Sequence, residues 1–293
     1  MLGPVVAGIA AAGAACVAYG TFIEREWYRL RHVEVPDVLR DRSAGPIRLL
    51  HVSDTHFDPP DERKRRWLSD VATSEYDAVI ATGDLLGAAD AEVFAGETLA
   101  VLTDGRPGLA ILGSNDHYAP AFKSPLHYFR GTDERIHGEP LDVARLEQAL
   151  DAAGFVTLRT GVSTLKLSGG EITVGVIDDP HLEHTTIPDP AEVTAADDSV
   201  LHLGLVHAPY TAALDVLAEA DHDLVLAGHT HGGQVRLPGV GALVANCDLP
   251  LRHVRGLSRY RDMWLHVSPG IGTSRYAPFR FACRPEATIL HLS

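Results

Sequence analysis

The stretch Ile47-Arg48-Leu49-Leu50-His51-Val52-Ser53-Asp54-Thr55-His56 is a short apolar run that ends in a carboxylate and an imidazole two positions apart. A run of this length with polar residues at its end reads as a buried strand. In extended backbone, residues two apart face the same side, so Asp54 and His56 can converge on one ion. Alone the pattern is weak, because Asp-x-His is common by chance and serves equally as a cap. Working outward, residues 76–81 form a second apolar run that ends in Thr82-Gly83-Asp84. Residues 63–73 suit a helix, 91–103 a second one, and 108–112 a third strand. This βαβαβ rhythm implies right-handed crossovers and helices packed on a largely parallel sheet.

Further along, 141–153 reads as a helix, and 163–167 and 172–177 as paired strands across Gly169-Gly170. Residues 201–206, 211–220 and 223–227 read as strand, helix and strand. Short strand-like runs follow residue 233 and end at 287–292. The expectation is an α/β fold of two stacked mixed β-sheets flanked by helices, with no internal repeat.

The strand ends carry a pattern of their own. Asn115 lies in Leu112-Gly113-Ser114-Asn115-Asp116-His117, His207 in Val206-His207-Ala208, and His229 and His231 in Gly228-His229-Thr230-His231-Gly232-Gly233. Five expected strands thus end in oxygen or nitrogen donors. Ligands of open α/β sheets gather outside the carboxyl ends of strands, so these side chains have a physical reason to meet.

In this order the residues resemble the calcineurin-like metallophosphoesterase superfamily, whose signature is D-x-H, G-D, G-N-H, a lone His and G-H-x-H. The resemblance covers about residues 47–293. The Gly-His-Thr-His-Gly-Gly-Gln segment, with Arg284-Pro285-Glu286 before the last strand, is most similar to the membrane-associated branch. The resemblance implies the four-layer sandwich of metallo-dependent phosphatases. It also implies that Asp54, His56 and His231 hold one metal, Asn115, His207 and His229 hold another, and Asp84 bridges them. Two divalent cations, two carboxylates and a bridging hydroxide leave a site charge of roughly +1, favourable for an anionic phosphoryl group. The implied reaction is direct, in-line attack of that hydroxide on a phosphate ester or pyrophosphate. Imidazole, carboxylate and amide donors suit Mn, Fe or Zn better than Ca. Some membrane-linked relatives cleave the pyrophosphate of an acylated sugar nucleotide, which puts phosphorylated small molecules and lipid-linked or nucleotide substrates in view.

The sequence departs from the family where His should follow Asn115. That place holds Asp116, and His117 comes one later. A nearby cation pair keeps a carboxylate ionised, so His117 is the better candidate for leaving-group acid and Asp116 the lesser one. The same departure supports a different reading, a metal-binding membrane scaffold with weakened catalysis. Arg130, in the long connection 118–140, and Arg275 and Arg280 near the C-terminus are candidates for holding substrate anions. His51 and His266 read as satisfied core residues, and His181, His184, His222 and His291 as surface or structural ones.

The chain of 293 residues is 45% hydrophobic and 22% charged, which describes a folded body rather than a disordered chain. A formal charge of −14 argues against a nucleic-acid partner bound by phosphate neutralisation. The run Glu62-Arg63-Lys64-Arg65-Arg66 reads as a solvated helix face. Cys16, Cys247 and Cys283 are far apart and suggest neither disulfides nor a thiolate metal site. Residues 2–23 carry no charged side chain. At about 1.5 Å per residue, a helix there just covers a hydrocarbon core of roughly 30 Å. The reading is a retained single-pass anchor over 1–23, with a cleaved signal peptide and a buried helix as the alternatives. Arg25, Arg29, Arg31 and Arg40 all follow it, which puts the body on the cytoplasmic side of the cell membrane. Residues 24–45 then form a juxtamembrane connector and 46–293 the phosphoesterase domain.

Overall fold

The computed structural model describes residues 2–41, 43–121, 138–182, 184–194 and 198–293, with backbone alone for 2–7 and 9. Alternation along Ile47–Val52 sets the layer order. Ile47 and Leu49 pack into the core between the two sheets, whereas Leu50 and Val52 pack outward beneath the helices Glu62–Ala72, Glu92–Leu99 and Val143–Ala152. Numbered in chain order, the first sheet runs β1 (Arg29–Val35), β14 (Glu286–Leu292), β2 (Ile47–Val52), β3 (Ala78–Thr82), β4 (Gly108–Ile111), β5 (Phe155–Thr157). The second runs β12 (Gly256–Tyr260), β13 (Met263–Val267), β9 (Leu224–Ala227), β8 (Leu201–Val206), β7 (Gly170–Ile177), β6 (Gly161–Leu167). A small hairpin joins β10 (Arg236–Leu237) to β11 (Gly241–Ala242). Strands β2 to β5 are mutually parallel, as are β7, β8, β9 and β13, while β14 runs against β2, β6 against β7 and β12 against β13. The sheets are therefore mixed and stacked, as the strand pattern implied. Leu203, Leu205, Leu224 and Leu226 meet Leu49, Ile80 and Ile111 in the inter-sheet core, and the helix Thr211–Glu219 covers the outer face of the second sheet. His51 and His266 join the sheets, their Nδ1 atoms 2.8 Å apart, with His51 Nε2 also 2.9 Å from Thr82 Oγ1.

Two expectations for the N-terminal region are corrected. Among the described residues no helix is long and apolar enough to cross a membrane, which overturns the single-pass reading and the membrane contact through this segment. The helix Leu2–Phe22 is built largely of alanine and glycine, whose transfer into hydrocarbon is only weakly favourable. Its last turns are held by protein: Arg280 N donates to Gly20 O at 3.2 Å, and Tyr19 meets Phe281 edge to face at 6.3 Å. The stretch 24–45 is also more than a connector, since Arg29–Val35 within it pairs along its whole length with β14. Glu24, buried, accepts from Ala282 N and Cys283 N at 2.9 and 2.7 Å and fastens the entry to that strand.

Candidate metal centre

The cluster stands just past the carboxyl ends of five strands: Asp54 and His56 after β2, Asp84 after β3, Asn115 after β4, His207 after β8, and His229 and His231 after β9. Asp54, His56, Asp84, His229 and His231 have φ between 42° and 67°. That left-handed region costs a non-glycine residue about 1–2 kcal/mol, and such strain persists only where neighbours overdetermine the conformation. Here the strand-end loops bond to one another: Asp54 N to Gly83 O at 2.9 Å, His56 N to Asp84 O at 3.1 Å, Gly228 N to His207 O at 2.9 Å. Glycine permits the crowding. A Cβ at Gly228 would stand 2.5 Å from Asp54 Oδ2, and one at Gly113 would stand 2.7 Å from His207 Nε2.

Asp54, His56 and His231 present donor atoms within 4.8 Å of one another, and Asp54, Asp84 and His207 do the same. His56 Nε2 and His231 Nε2 face each other at 3.2 Å, with Asp54 Oδ1 3.6 Å from His231 Nε2. Burial pushes the His56 imidazole down to about 4, and burial together with neighbouring His56 holds His231 well below its usual range. Both are neutral rings, as metal ligation requires.

In the second group, His207 Nδ1 donates to Thr82 O at 2.6 Å, which turns its Nε2 toward Asp84 Oδ1, 3.3 Å away. That Nε2 is buried and out of line for a hydrogen bond. Burial opposes charge on both partners, yet His207 holds the Asp84 carboxyl well below its usual range and Asp84 raises His207 well above its own. Burial, with the repulsion of Asp84 added, drives Asp54 up to about 7. Without cations the cluster balances its charge through protonated His207, and a divalent cation competes with that proton. His229 Nε2 donates to Asn246 O at 3.1 Å, leaving Nδ1 as the unprotonated ring nitrogen, and its ring centroid lies 5.5 Å from that of His207. The Asn115 amide lies 2.6 Å from Asp84 Oδ2, and a half-turn of that amide exchanges its nitrogen and oxygen. The donors fit a divalent pair: nitrogens and carboxylate oxygens are buried together, with His56 Nδ1 and His207 Nε2 lacking a hydrogen bond.

The remaining expected site residues are placed differently. Asp116 is fully buried, and its carboxylate accepts from Leu85 N, Leu86 N and Gly113 N at 2.7, 3.0 and 2.9 Å. It fastens the Asp84 loop to the Asn115 turn, so neither a proton-transfer role nor contact with substrate is open to it. His117 is half-buried, its ring 6.2 Å from His184, and it does not line the cavity beside the centre. His117→Ala is therefore expected to slow nitrophenyl and alkyl esters by equal factors. A selective loss with alkyl esters would restore it as the acid. Arg280 is wholly buried, its guanidinium turned to the carbonyls of Pro269, Gly270, Gly272 and Cys283 and 3.3 Å from His231 Nδ1, so it braces loops and does not meet substrate. Arg275 is exposed, 3.4 Å from Asp58, and lines a polar cavity beside His56. Arg130, with most of the 118–140 connection, lies outside the described residues.

Three residues beside the centre differ from their reading in the sequence or were passed over there. Lys64, assigned to a solvated face, is buried, its Nζ 2.6 Å from both Thr55 O and Asp61 Oδ2. His181 lines the cavity, its ring 4.6 Å from His229 and its Nδ1 3.0 Å from the Tyr210 hydroxyl, and Asp179 is buried just before it. The strand-end rule would have found the last two, since Asp178-Asp179-Pro180-His181 follows β7.

A family model described as calcineurin-like phosphoesterase matches residues 47–233, well over half of the chain. The chain belongs to the calcineurin-like phosphoesterase family. It is 25% identical to the uncharacterized metallophosphoesterase YkuE of Bacillus subtilis, an alignment that covers 100% of this chain and 94% of that protein. It is 38% identical to the phosphodiesterase YaeI of Escherichia coli over 33% of this chain and 34% of that one. Among solved structures, the NAD nucleotidase of Haemophilus influenzae is similar at a TM-score of 0.47 and 12% identity, over 84% of this chain and 49% of that one. The calcineurin-like chain is accordingly a metal-dependent phosphoesterase.

Proposed function

We propose that the chain is a dinuclear hydrolase of phosphate ester or pyrophosphate bonds, with Asp54, His56 and His231 at one metal and Asn115, His207 and His229 at the other. The observation that carries the reading is the double reach of Asp84, whose Oδ2 lies 3.8 Å from His56 Nε2 and whose Oδ1 lies 3.3 Å from His207 Nε2. One carboxylate thus serves both groups. Two divalent ions, Mn, Fe or Zn, supply the nucleophile and offset phosphoryl charge when bound. The protein's own part is to hold the donors convergent on strained strand-end loops and to keep the imidazoles neutral. The catalytic unit is 46–293 completed by β1, and its substrates are phosphorylated small molecules, nucleotides or lipid-linked phosphates. The scaffold alternative rested on Asp116, and three backbone hydrogen bonds give that residue a structural role as a brace between loops.

Hydrolysis of bis(p-nitrophenyl) phosphate by the full chain tests the reading. Activity should vanish on chelation and return with Mn. Turnover indifferent to chelator, or none under any of the three metals, would refute it.

A further inference from the structure

A further pair of facing imidazoles lies away from the metal centre. His32 on β1 and His291 on β14 are 259 positions apart in the chain, yet His32 Nδ1 lies 2.9 Å from His291 Nε2. Their ring centroids are 5.2 Å apart and the planes are tilted by 33°. Alternation explains the meeting. Along β1, Val33 and Val35 pack into the core between the sheets, so Leu30, His32 and Glu34 belong to the outer face of the first sheet. Along β14, Leu290 and Leu292 point inward in the same way, which leaves Ile289 and His291 on that outer face. Parallel pairing sets Glu34 directly beside His291 and His32 beside Ile289. His32 and Glu34 are exposed and His291 is half-buried. On its other side His291 pairs with Arg48, near the start of β2, whereas Asp54 and the metal centre lie past the end of that strand. The two places are at opposite edges of the sheet.

Two imidazole nitrogens bound to one Zn at about 2.0–2.1 Å each stand roughly 2.9–3.4 Å apart, for angles from square to tetrahedral. The pair His32 and His291 falls in that range, as do His56 and His231 at 3.2 Å in the metal centre. His51 and His266 have a similar separation, but both are wholly buried between the sheets, where no hydrated ion enters. At the outer face an ion has access and a third donor. Glu34 is two positions from His32 on the same face, and an exposed side chain turns between rotamers within nanoseconds, so its carboxylate can close onto an ion held by the two rings. The surrounding charge favours a cation: Arg48 is tied to Glu75 at 2.6 Å and to Asp77 at 3.2 Å, and with Glu34 the carboxylates outnumber it. Two imidazoles and one carboxylate suit Zn, Ni or Cu better than Mg or Ca.

We infer that His32, Glu34 and His291 form a separate surface site for a divalent cation of the Zn class, which clamps the edge strand β1 to β14. The site is independent of the hydrolase reading. Calorimetry with Zn on the metal-free full chain should count one more equivalent per chain in the wild type than in His32→Ala or His291→Ala. Neither side chain belongs to the core, so circular dichroism of both variants should match the wild type. Glu34→Gln should weaken the extra equivalent by about tenfold or more, since loss of a ligand costs no less than loss of a group that orients one. Zn should also slow amide exchange along Arg29–Val35 in the wild type beyond its effect in His32→Ala. An equal Zn count in the wild type and both folded alanine variants would overturn the site and leave the rings a plain hydrogen-bonded pair. An affinity indifferent to Glu34→Gln would overturn its three-donor form. The equivalents bound at the catalytic centre are read in the same titrations and should be common to all four proteins.

Discussion

Asp84→Asn is expected to lower turnover by about 10³-fold, the upper end of what removal of one preorganised electrostatic group costs, and to reduce bound metal. The amide keeps the shape of the carboxylate but has one oxygen and no charge, so it cannot serve His56 and His207 sides together. The fold should survive. In the metal-free protein Asp84 is one of four buried aspartates about the centre, with Asp54, Asp116 and Asp179, and removing one relieves repulsion even as it deprives His207 of its partner. Metal content by mass spectrometry, turnover and circular dichroism together decide the matter. Unchanged metal content and rate in the variant would dismiss the bridging role.

Arg280→Ala should act on stability first, by about 3–5 kcal/mol, because it leaves several buried carbonyls without their donor. Pro269 O, Gly272 O and Cys283 O lose this donor, while Gly270 O keeps Glu286 N at 3.0 Å, and each buried carbonyl left unpaired costs about 1–3 kcal/mol. Because the same guanidinium abuts His231, metal affinity should fall as well. Urea denaturation of the metal-free variant measures the first effect. A raised KM with an unshifted denaturation midpoint would mean that Arg280 binds substrate after all, contrary to its burial.

The gathering of these polar side chains at one edge was legible because it follows a local rule. Apolar runs ending in Asp54, Asp84 and His207 could be read as buried strands, and strands of a parallel sheet deliver their carboxyl ends to one edge. Residues whose roles depend on distant partners were not legible. Asp116 looked like an altered catalytic position, yet its partners are the amides of Leu85 and Leu86, thirty or so positions back. Lys64 looked solvated because its neighbours are charged, and only the fold shows that Phe57 and Thr55 lie over it. β1 was missed for a related reason: Arg29, Arg31, His32 and Glu34 make it polar, as an edge strand tolerates, and its pairing partner is more than 250 residues away.

By itself the sequence determined the α/β class, the two-sheet architecture and the polar side chains that gather past the strand ends, because periodicity and strand-end chemistry are properties of short segments. Tertiary structure alone decided which of the neighbouring polar residues face the centre. His181 lines it, His117 turns to His184, and Arg280 is consumed by carbonyl groups. The physical reason is that a side chain's exposure and its hydrogen-bond partners are set by segments far away in the chain, and residue type constrains these only weakly.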